Sequence, residues 1–411
     1  MKYEEKKLSE LVDTISDTRK IDKDEVVLVN TSDVLAGEVL NHTYTENFNL
    51  RGQFKKRFKP DDILYSEIRP ANKRFAYVDF DSEDYIASTK LMVLRRKSDK
   101  ITNRYLYYCL TNDLFVERMQ HLAEARSGTF PQITFDVLKG ESIYLPSIDD
   151  QNKITSILDN INNKIRLNNE INNNLFGLMK NTYVEWFKNY EIPYYKFEFK
   201  DSKFGQIPIN WNVKHLKDVF FFQEGPGIRN WQYVENNGTK FINIRCIKYS
   251  DLELDTANMI SNEEAQGKYK HFMLDEWDVV VSTSGTLGRN QIIRKEHLPL
   301  CLNTSVIRFK PMNSFDEYAF MYNYLISDEF LNLLDVMATG SAQRNFGPMH
   351  LNKIDIVYPD KEILLQFNKL IFPIIENIQN NKTENMRLSQ LRNTLLPKLI
   401  NGEIELDNIE I

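Results

Sequence analysis

A chain of 411 residues with 42% hydrophobic and 27% charged side chains accommodates two or three folded units and excludes a disordered polymer. No uninterrupted apolar run is long enough to span a bilayer, and the start, Met1-Lys-Tyr-Glu-Glu-Lys-Lys7, lacks the apolar stretch of a secretory signal, so a cytoplasmic location away from membranes is expected. The net charge of −6 argues against a binder that is basic all over, and Cys109, Cys246 and Cys301, without metal-site spacing, read as reduced and mostly buried.

In chain order, the first segment of interest is Arg51-Gly-Gln-Phe-Lys55-Lys56-Arg57-Phe-Lys59, with five cations, two interleaved phenylalanines and no acid. Such a segment suits phosphate neutralisation, and equally a solvated charged hairpin. A strand follows at Asp62-Ile-Leu-Tyr-Ser66, read as β-rich, half-buried and opening at an acidic turn. Lys73 and Arg74 come after it and add to the candidate DNA contacts. A helical signature carries Tyr107, Leu110, Asp113 and Phe115. Then comes Arg126-Ser-Gly128-Thr-Phe-Pro-Gln132, whose Arg126 and Gln132 are of the types that bond base edges in pairs.

Residues 147–190 read as one long helix. Ser147 precedes Asp150 at capping-box spacing, and Ile154, Ile157, Ile161, Ile171, Leu175 and Leu178 fall on heptad positions, widened by Leu158 and Ile165. The stripe turns polar at Lys164 and Asn168. A helix of about 35 residues is about 50 Å long, more than one small domain needs.

The second half repeats the first at an offset of about 215 residues. Asp278-Val-Val-Val-Ser282 answers the strand; Tyr322, Leu325, Asp328 and Phe330 answer the helix; Gly340 answers Gly128 and Pro359 answers Pro146. The halves differ where Glu67-Ile-Arg-Pro70 faces Thr283-Ser-Gly-Thr286, the start of a small, polar loop with Arg289 that is suited to close backbone approach to a ligand. Ser341-Ala-Gln343-Arg344-Asn345 stands where the first half has Arg126 to Gln132, so Gln343, Arg344 and Asn345 join the candidates. Gly225-Pro-Gly227-Ile-Arg-Asn230 begins like a dinucleotide loop, lacks the third glycine, and reads as a plain turn.

A second long helix is expected within 359–411, with Phe367, Ile371, Ile374, Ile378, Leu388, Leu395 and Leu399 in heptad phase, polar breaks at Asn381 and Asn385, and a kink at Pro373. Antiparallel pairing would set the polar breaks of the two helices opposite each other. The pattern predicts an α+β chain: two pseudo-symmetric globular domains, 1–146 and 191–358, separated by two long antiparallel coiled-coil helices. The plainer alternative makes each helix the amphipathic wall of its own domain.

Catalytic signatures are missing: there is no GxxxxGK[ST] phosphate loop, no HExxH, no GxSxG, and no Asn/Asp-Pro-Pro-aromatic signature for methyl transfer to an amine. Pro60-Asp61 with Glu67-Ile-Arg69 weakly matches a nuclease metal site, with arginine in place of lysine. The six histidines, His42, His121 and His350 among them, are scattered. Catalytic residues, metal ligands and cofactor-binding residues are therefore not assigned.

The helix ends carry a resemblance. Leu391-Arg-Asn-Thr-Leu-Leu-Pro397-Lys-Leu-Ile-Asn-Gly402-Glu-Ile404 is similar to the C-terminal conserved helix, and its exit, of the specificity subunits of type I restriction-modification enzymes. Asn169 to Leu175, continuing to Glu185-Trp186-Phe187, resembles the central conserved helix. Leu145-Pro146 with Gln151, and Tyr358-Pro359 with Gln366, resemble the two helix starts, so that the resemblance covers nearly the whole chain. It implies a non-catalytic subunit that reads a bipartite, asymmetric site on double-stranded DNA. Two methyltransferase subunits would bind the helices and methylate adenine N6 with S-adenosylmethionine, and two motor-nuclease subunits would use ATP and magnesium. Ile154, Ile161, Leu175, Trp186, Phe187, Ile374, Leu388 and Leu395 are then the expected partner-binding positions. The half-sites would lie roughly one helical turn, about 34 Å, apart. The rival readings are a self-contained nuclease or DNA methyltransferase, and a coiled-coil adaptor that binds only protein.

Overall fold

The computed structural model describes residues 2–126, 128–338 and 345–404. They fall into two compact units, one of residues 1–165 with 386–411 and one of residues 166–385. Each unit contains its own sheets and a part of both long helices. Among the described residues, no helix is long and apolar enough to cross a membrane.

In the first unit, Glu4–Lys7 pairs antiparallel with Ser142–Leu145. An antiparallel sheet follows the order Val12–Ile15, Leu91–Arg96, Ile63–Ser66, Phe75–Tyr77. A second sheet has the order Tyr44–Glu46, Glu25–Val29, Tyr85–Ser88, Phe54–Arg57, with a parallel pair at its centre. The second unit builds the same plan. Asn212–His215 pairs with Asp355–Tyr358, a sheet runs Phe220–Glu224, Val306–Pro311, Val279–Ser282, Asn290–Ile292, and Thr239–Ile242 lies parallel to Leu300–Leu302. Helices Asn103–Thr111 and Asp113–Arg126 are answered by Tyr318–Leu325 and Asp328–Met337. A hairpin, Phe199–Ser202 with Gly205–Pro208, is added in the second unit.

The strands at Asp62 and Asp278 are more buried than expected. Ile63 and Tyr65 enter one core cluster and Leu64 another, just as Val279 and Val281 part from Val280. A strand between two cores has no solvent face, so its apolar run is continuous and does not alternate. The acidic turn that opens each strand is real. Asp62 accepts from the Lys59 N–H and Asp278 from the Asp275 N–H, both at 2.9 Å. Asp62, fully buried, also receives both arms of Arg95 at 2.6 and 2.7 Å. Asp278 is met by Lys310 at 3.1 Å and Arg308 at 3.5 Å.

The long helices are Ile148–Phe187 and Lys361–Ile400, 40 residues each. Both are capped directly after the repeated prolines: Ser147 Oγ accepts from the Asp150 N–H at 3.2 Å and Asp360 Oδ1 from the Ile363 N–H at 3.1 Å. The second helix continues through Pro373, where burial of Ile371 and Ile375 on either side opposes the ~3 kcal/mol that an interior proline costs. Its exit requires glycine. Gly402 has φ +73°, a Cβ there would stand 2.6 Å from the Tyr3 ring, and the Glu403 N–H closes back on the Lys398 carbonyl at 2.8 Å.

Within each unit the helices pair antiparallel, on a seam that differs from the predicted one. The buried line of the first helix runs Ile154, Leu158, Ile161, then Asn168, Asn172 and Met179, while Ile171 and Leu178 are 47% and 53% exposed. Two residues favoured for their apolar character thus lie outside the seam, and two asparagines occupy it. Asn168 Nδ2 donates to Glu384 at 2.7 Å and to Asn385 at 2.9 Å, and Asn381 Nδ2 donates to Asn172 at 2.8 Å. Lys164 is exposed and lies off the seam, so the polar break is at Asn168 and Asn172. Buried amides that must find each other fix register, which apolar contacts alone would leave free to slide.

Candidate nucleic-acid interface

Several predicted DNA contacts are occupied within the protein. Arg74 Nη1 donates to the Ser32 carbonyl at 2.9 Å and the Val34 carbonyl at 3.2 Å. Arg289 Nη1 donates to the Ile247 carbonyl at 2.9 Å, and its Nη2 to Thr286 Oγ1 at 2.8 Å. At the repeat offset, Arg74 corresponds to Arg289 and Ser32 to Ile247, so the two arginines are one duplicated clamp on one turn. Lys73 forms an ion pair with Asp113 at 2.5 Å. These three cations are structural before they are anything else.

The basic segment is no loop. Phe54–Arg57 is an edge strand, and Arg51 and Lys55 are exposed without partners among the described residues. Lys56, on the opposite face, turns inward and donates to the Thr89 and Leu91 carbonyls at 3.0 and 2.8 Å. Burial, with Lys90 adding, lowers its pKa, and Glu67 works against that shift. Exposed lysines on an edge also keep it from pairing with other chains. Of the segment, Arg51, Lys55, Lys59 and the half-buried Arg57 remain available for phosphate.

The two remaining segments of the first unit do meet. Ile68 forms a β-bridge with Gln132, Gln132 Nε2 donates to Glu67 at 2.7 Å, and Lys90 approaches the same carboxylate at 3.6 Å. Arg126 is exposed at the end of its helix. The second unit repeats the junction, with Ser284 bridged to Asn345. Gln343, Arg344 and Gly340 lie outside the described residues. The acids that suggested a nuclease site are otherwise engaged: Asp61 with Tyr77 and Glu67 with Gln132.

The polar loop after Ser282 is closed on itself. Ser282 Oγ donates to the Thr286 carbonyl at 2.6 Å, the Gly288 N–H returns to Ser282 at 3.0 Å, and Thr283 and Ser284 are buried. Gly288 has φ +75°, and a Cβ there would meet the Leu331 side chain at 2.4 Å, so the glycine accommodates the protein's own helix. Tyr249 is 79% exposed with the Arg289 guanidinium 4.6 Å from its ring centre, and Trp231 is exposed beyond the Gly225–Asn230 turn. Sequence reasoning missed both aromatics, because exposure of a tyrosine or tryptophan leaves no periodic trace.

The expected partner positions also need correction. Ile154 and Ile161 are buried, Ile154 beside Leu396 and Leu399 in the first unit's core. Trp186 and Phe187 belong to an aromatic cluster in which Phe187 lies 4.7 Å from Phe367 and 4.9 Å from Phe320. All four are buried within their own units. Leu175, Ile374, Leu388 and Leu395 are half-buried. The open apolar side chains include Leu167, Ile171, Phe176, Leu178 and Val184 on the first helix and Leu370 and Leu391 on the second.

The type I restriction modification DNA specificity domain matches residues 1–175 and again 208–393. The chain belongs to this family. The specificity subunit of the type I restriction enzyme HindI from Haemophilus influenzae is 28% identical over 92% of this chain and 94% of its own length. The MjaIX specificity subunit of Methanocaldococcus jannaschii is 25% identical over 76% and 71%. The fold of this specificity protein is shared with the S subunit structure from M. genitalium, at a TM-score of 0.57, 15% identity and coverage of 97% and 96%. The two family matches fall on the two halves read as a repeat, and each takes in one of the duplicated sheet systems.

Proposed function

We propose that this chain is the non-catalytic DNA-recognition subunit of a type I restriction-modification complex, its two units reading different halves of a split, asymmetric target. The observation that carries this reading is a whole topology built twice whose ends differ: Glu67–Arg69 with Gln132 in one unit, Tyr249 and Asn345 in the other. A duplicated scaffold with divergent tips suits two half-sites of different sequence. The relatives named as specificity subunits of restriction enzymes support the same role.

Chemistry belongs to partners on this reading. Two methyltransferase subunits bring S-adenosylmethionine and methylate adenine N6 on cytoplasmic DNA, and two motor-nuclease subunits bring ATP and magnesium. Apolar side chains left open on the helices, among them Leu167, Ile171 and Leu178 in one unit and Leu391 beside Leu388 in the other, give each methyltransferase subunit a docking stripe. The helix pair sets the unread spacer. Adding seven residues to both helices, between Asn168 and Asn169 and between Glu384 and Asn385, lengthens each by about 10 Å. Mapping modified adenines in cells carrying that variant with its methyltransferase subunit should show a spacer about three base pairs longer, at 3.4 Å per pair, with both half-sites kept. An unchanged spacer would refute the ruler, and modification without a split motif would refute the role.

A further inference from the structure

We propose that the turn at Lys248–Ser250 is a specificity-determining finger of the second unit and that Lys382, on the second long helix, is its positioning residue; the proposal rests on the DNA-recognition reading above. The turn is short and closed. Lys248 N–H donates to the Asp251 carbonyl at 3.1 Å, Ile247 is bridged to Leu252, and Glu253 N–H returns to Cys246 at 2.9 Å. Tyr249 stands at its apex, with exposed Arg245 at its base and Arg289 against its ring. A rigid aromatic flanked by cations loses little freedom on meeting a base or sugar, which is what an anchoring contact requires.

The turn is gripped from beneath by three side chains. Arg289 holds the Ile247 carbonyl, Gln291 Nε2 holds the Lys248 and Tyr249 carbonyls at 2.8 and 3.2 Å, and Arg294 holds both oxygens of Asp251 at 2.8 and 2.7 Å. The middle grip depends on which way the Gln291 amide faces. Its NH2 must point at the turn, so its oxygen needs a donor on the other side. Lys382 Nζ supplies one at 2.8 Å, and an ammonium, having no acceptor, can satisfy only that orientation. Lys382 reaches from its helix to Gln291, where burial, with Arg294 adding, brings its pKa down to about 8 against the pull of Asp251. The neighbouring Thr383 reaches Glu296, which in turn takes Arg294 Nε at 2.7 Å. Two successive helix residues therefore brace the base of the finger. In the first unit the position equivalent to Gln291 is Ala76, whose methyl side chain can form no such brace.

The test uses the full chain co-expressed with its methyltransferase subunit, with modified adenines mapped across the host genome. Tyr249→Ala, a surface change, should lower discrimination about tenfold at one or more bases of one half-site and leave the other half intact. Lys382→Met should relax the same bases, and Lys382→Arg, which keeps a donor-only side chain, should restore them. If Lys382→Met does not assemble, Gln291→Met cuts the same bond from the other side and carries the same expectation. Unchanged motifs in Tyr249→Ala, or equal relaxation of both halves in Lys382→Met, or no recovery with Lys382→Arg, would each overturn the proposal. A wild-type complex without any split motif would overturn the DNA-recognition reading itself, a result distinct from these.

Discussion

The same turn is held in two ways in the two units. In the first, Ala36 and Gly37 are fixed main chain to main chain, their N–H groups donating to Lys73 and Phe75 carbonyls at 2.8 and 2.9 Å. In the second, the equivalent turn hangs from side chains, Gln291 above all, and is longer and tipped by Tyr249. The arginine clamp, Arg74 or Arg289, is common to both. The comparison teaches that contacts surviving duplication are structural, and that function is found where the copies part.

The largest difference between the units should lie in their buried acids. Arg95→Met leaves Asp62 buried and unpaired and should cost the first unit about 3–5 kcal/mol. Arg308→Met should cost the second unit less, because Lys310 stays 3.1 Å from Asp278. Denaturant-dependent hydrogen exchange, resolved by unit, measures both; equal losses would break the contrast.

Acid should then separate the units. Burial, with Arg294 adding, lowers the His297 pKa to about 4, and its Nδ1 accepts from the Arg294 N–H at 3.1 Å. An unfolded histidine takes its proton near pH 6.5, whereas this one resists until about 4, so stability is complete above 6.5 and is lost on descending toward 4. The loss should reach about 3 kcal/mol at most, confined to the second unit. His297→Asn, which keeps an acceptor, should flatten that pH profile; an unaltered profile would assign the acid sensitivity elsewhere.

Smaller effects sharpen the clamp itself. Arg74→Ala and Arg289→Ala should each destabilise their own unit by about 1–3 kcal/mol, the cost of freeing carbonyls from a charged donor. Lowered DNA affinity with no change in melting would instead return these arginines to the interface. Least of all, Lys55→Ala with Arg57→Ala should flatten the salt dependence of DNA binding by up to about two counterions. Lys56→Met should leave that slope alone and lower stability, since its amine is spent on Thr89 and Leu91.

Much of the architecture was legible because it is periodic or repeated. The matched Tyr107 and Tyr322, Leu110 and Leu325, and Phe115 and Phe330 all lie on equivalent helices, and both long helices start within two residues of their repeated prolines. The helix phase was misread between Asn168 and Leu178, because hydrophobicity marks the seam only where the seam is apolar. Here amides pair across it, and the apolar Ile171 and Leu178 lie outside. The site was legible least. A lysine that donates to its own sheet and a lysine that waits for phosphate have the same letter, and only the partner distances separate Lys56 from Lys55. The correspondence of Arg74 with Arg289 was the one available sign that both are structural.

The claim that each unit reads its own half of a split target is tested most directly by exchange. Residues 212–358 would be replaced by the equivalent segment of a relative with a different target, and the modified adenines mapped with the methyltransferase subunit present. One half of the motif should change to the relative's, with the other half and the spacer untouched. A motif altered in both halves, or in neither, would contradict the account.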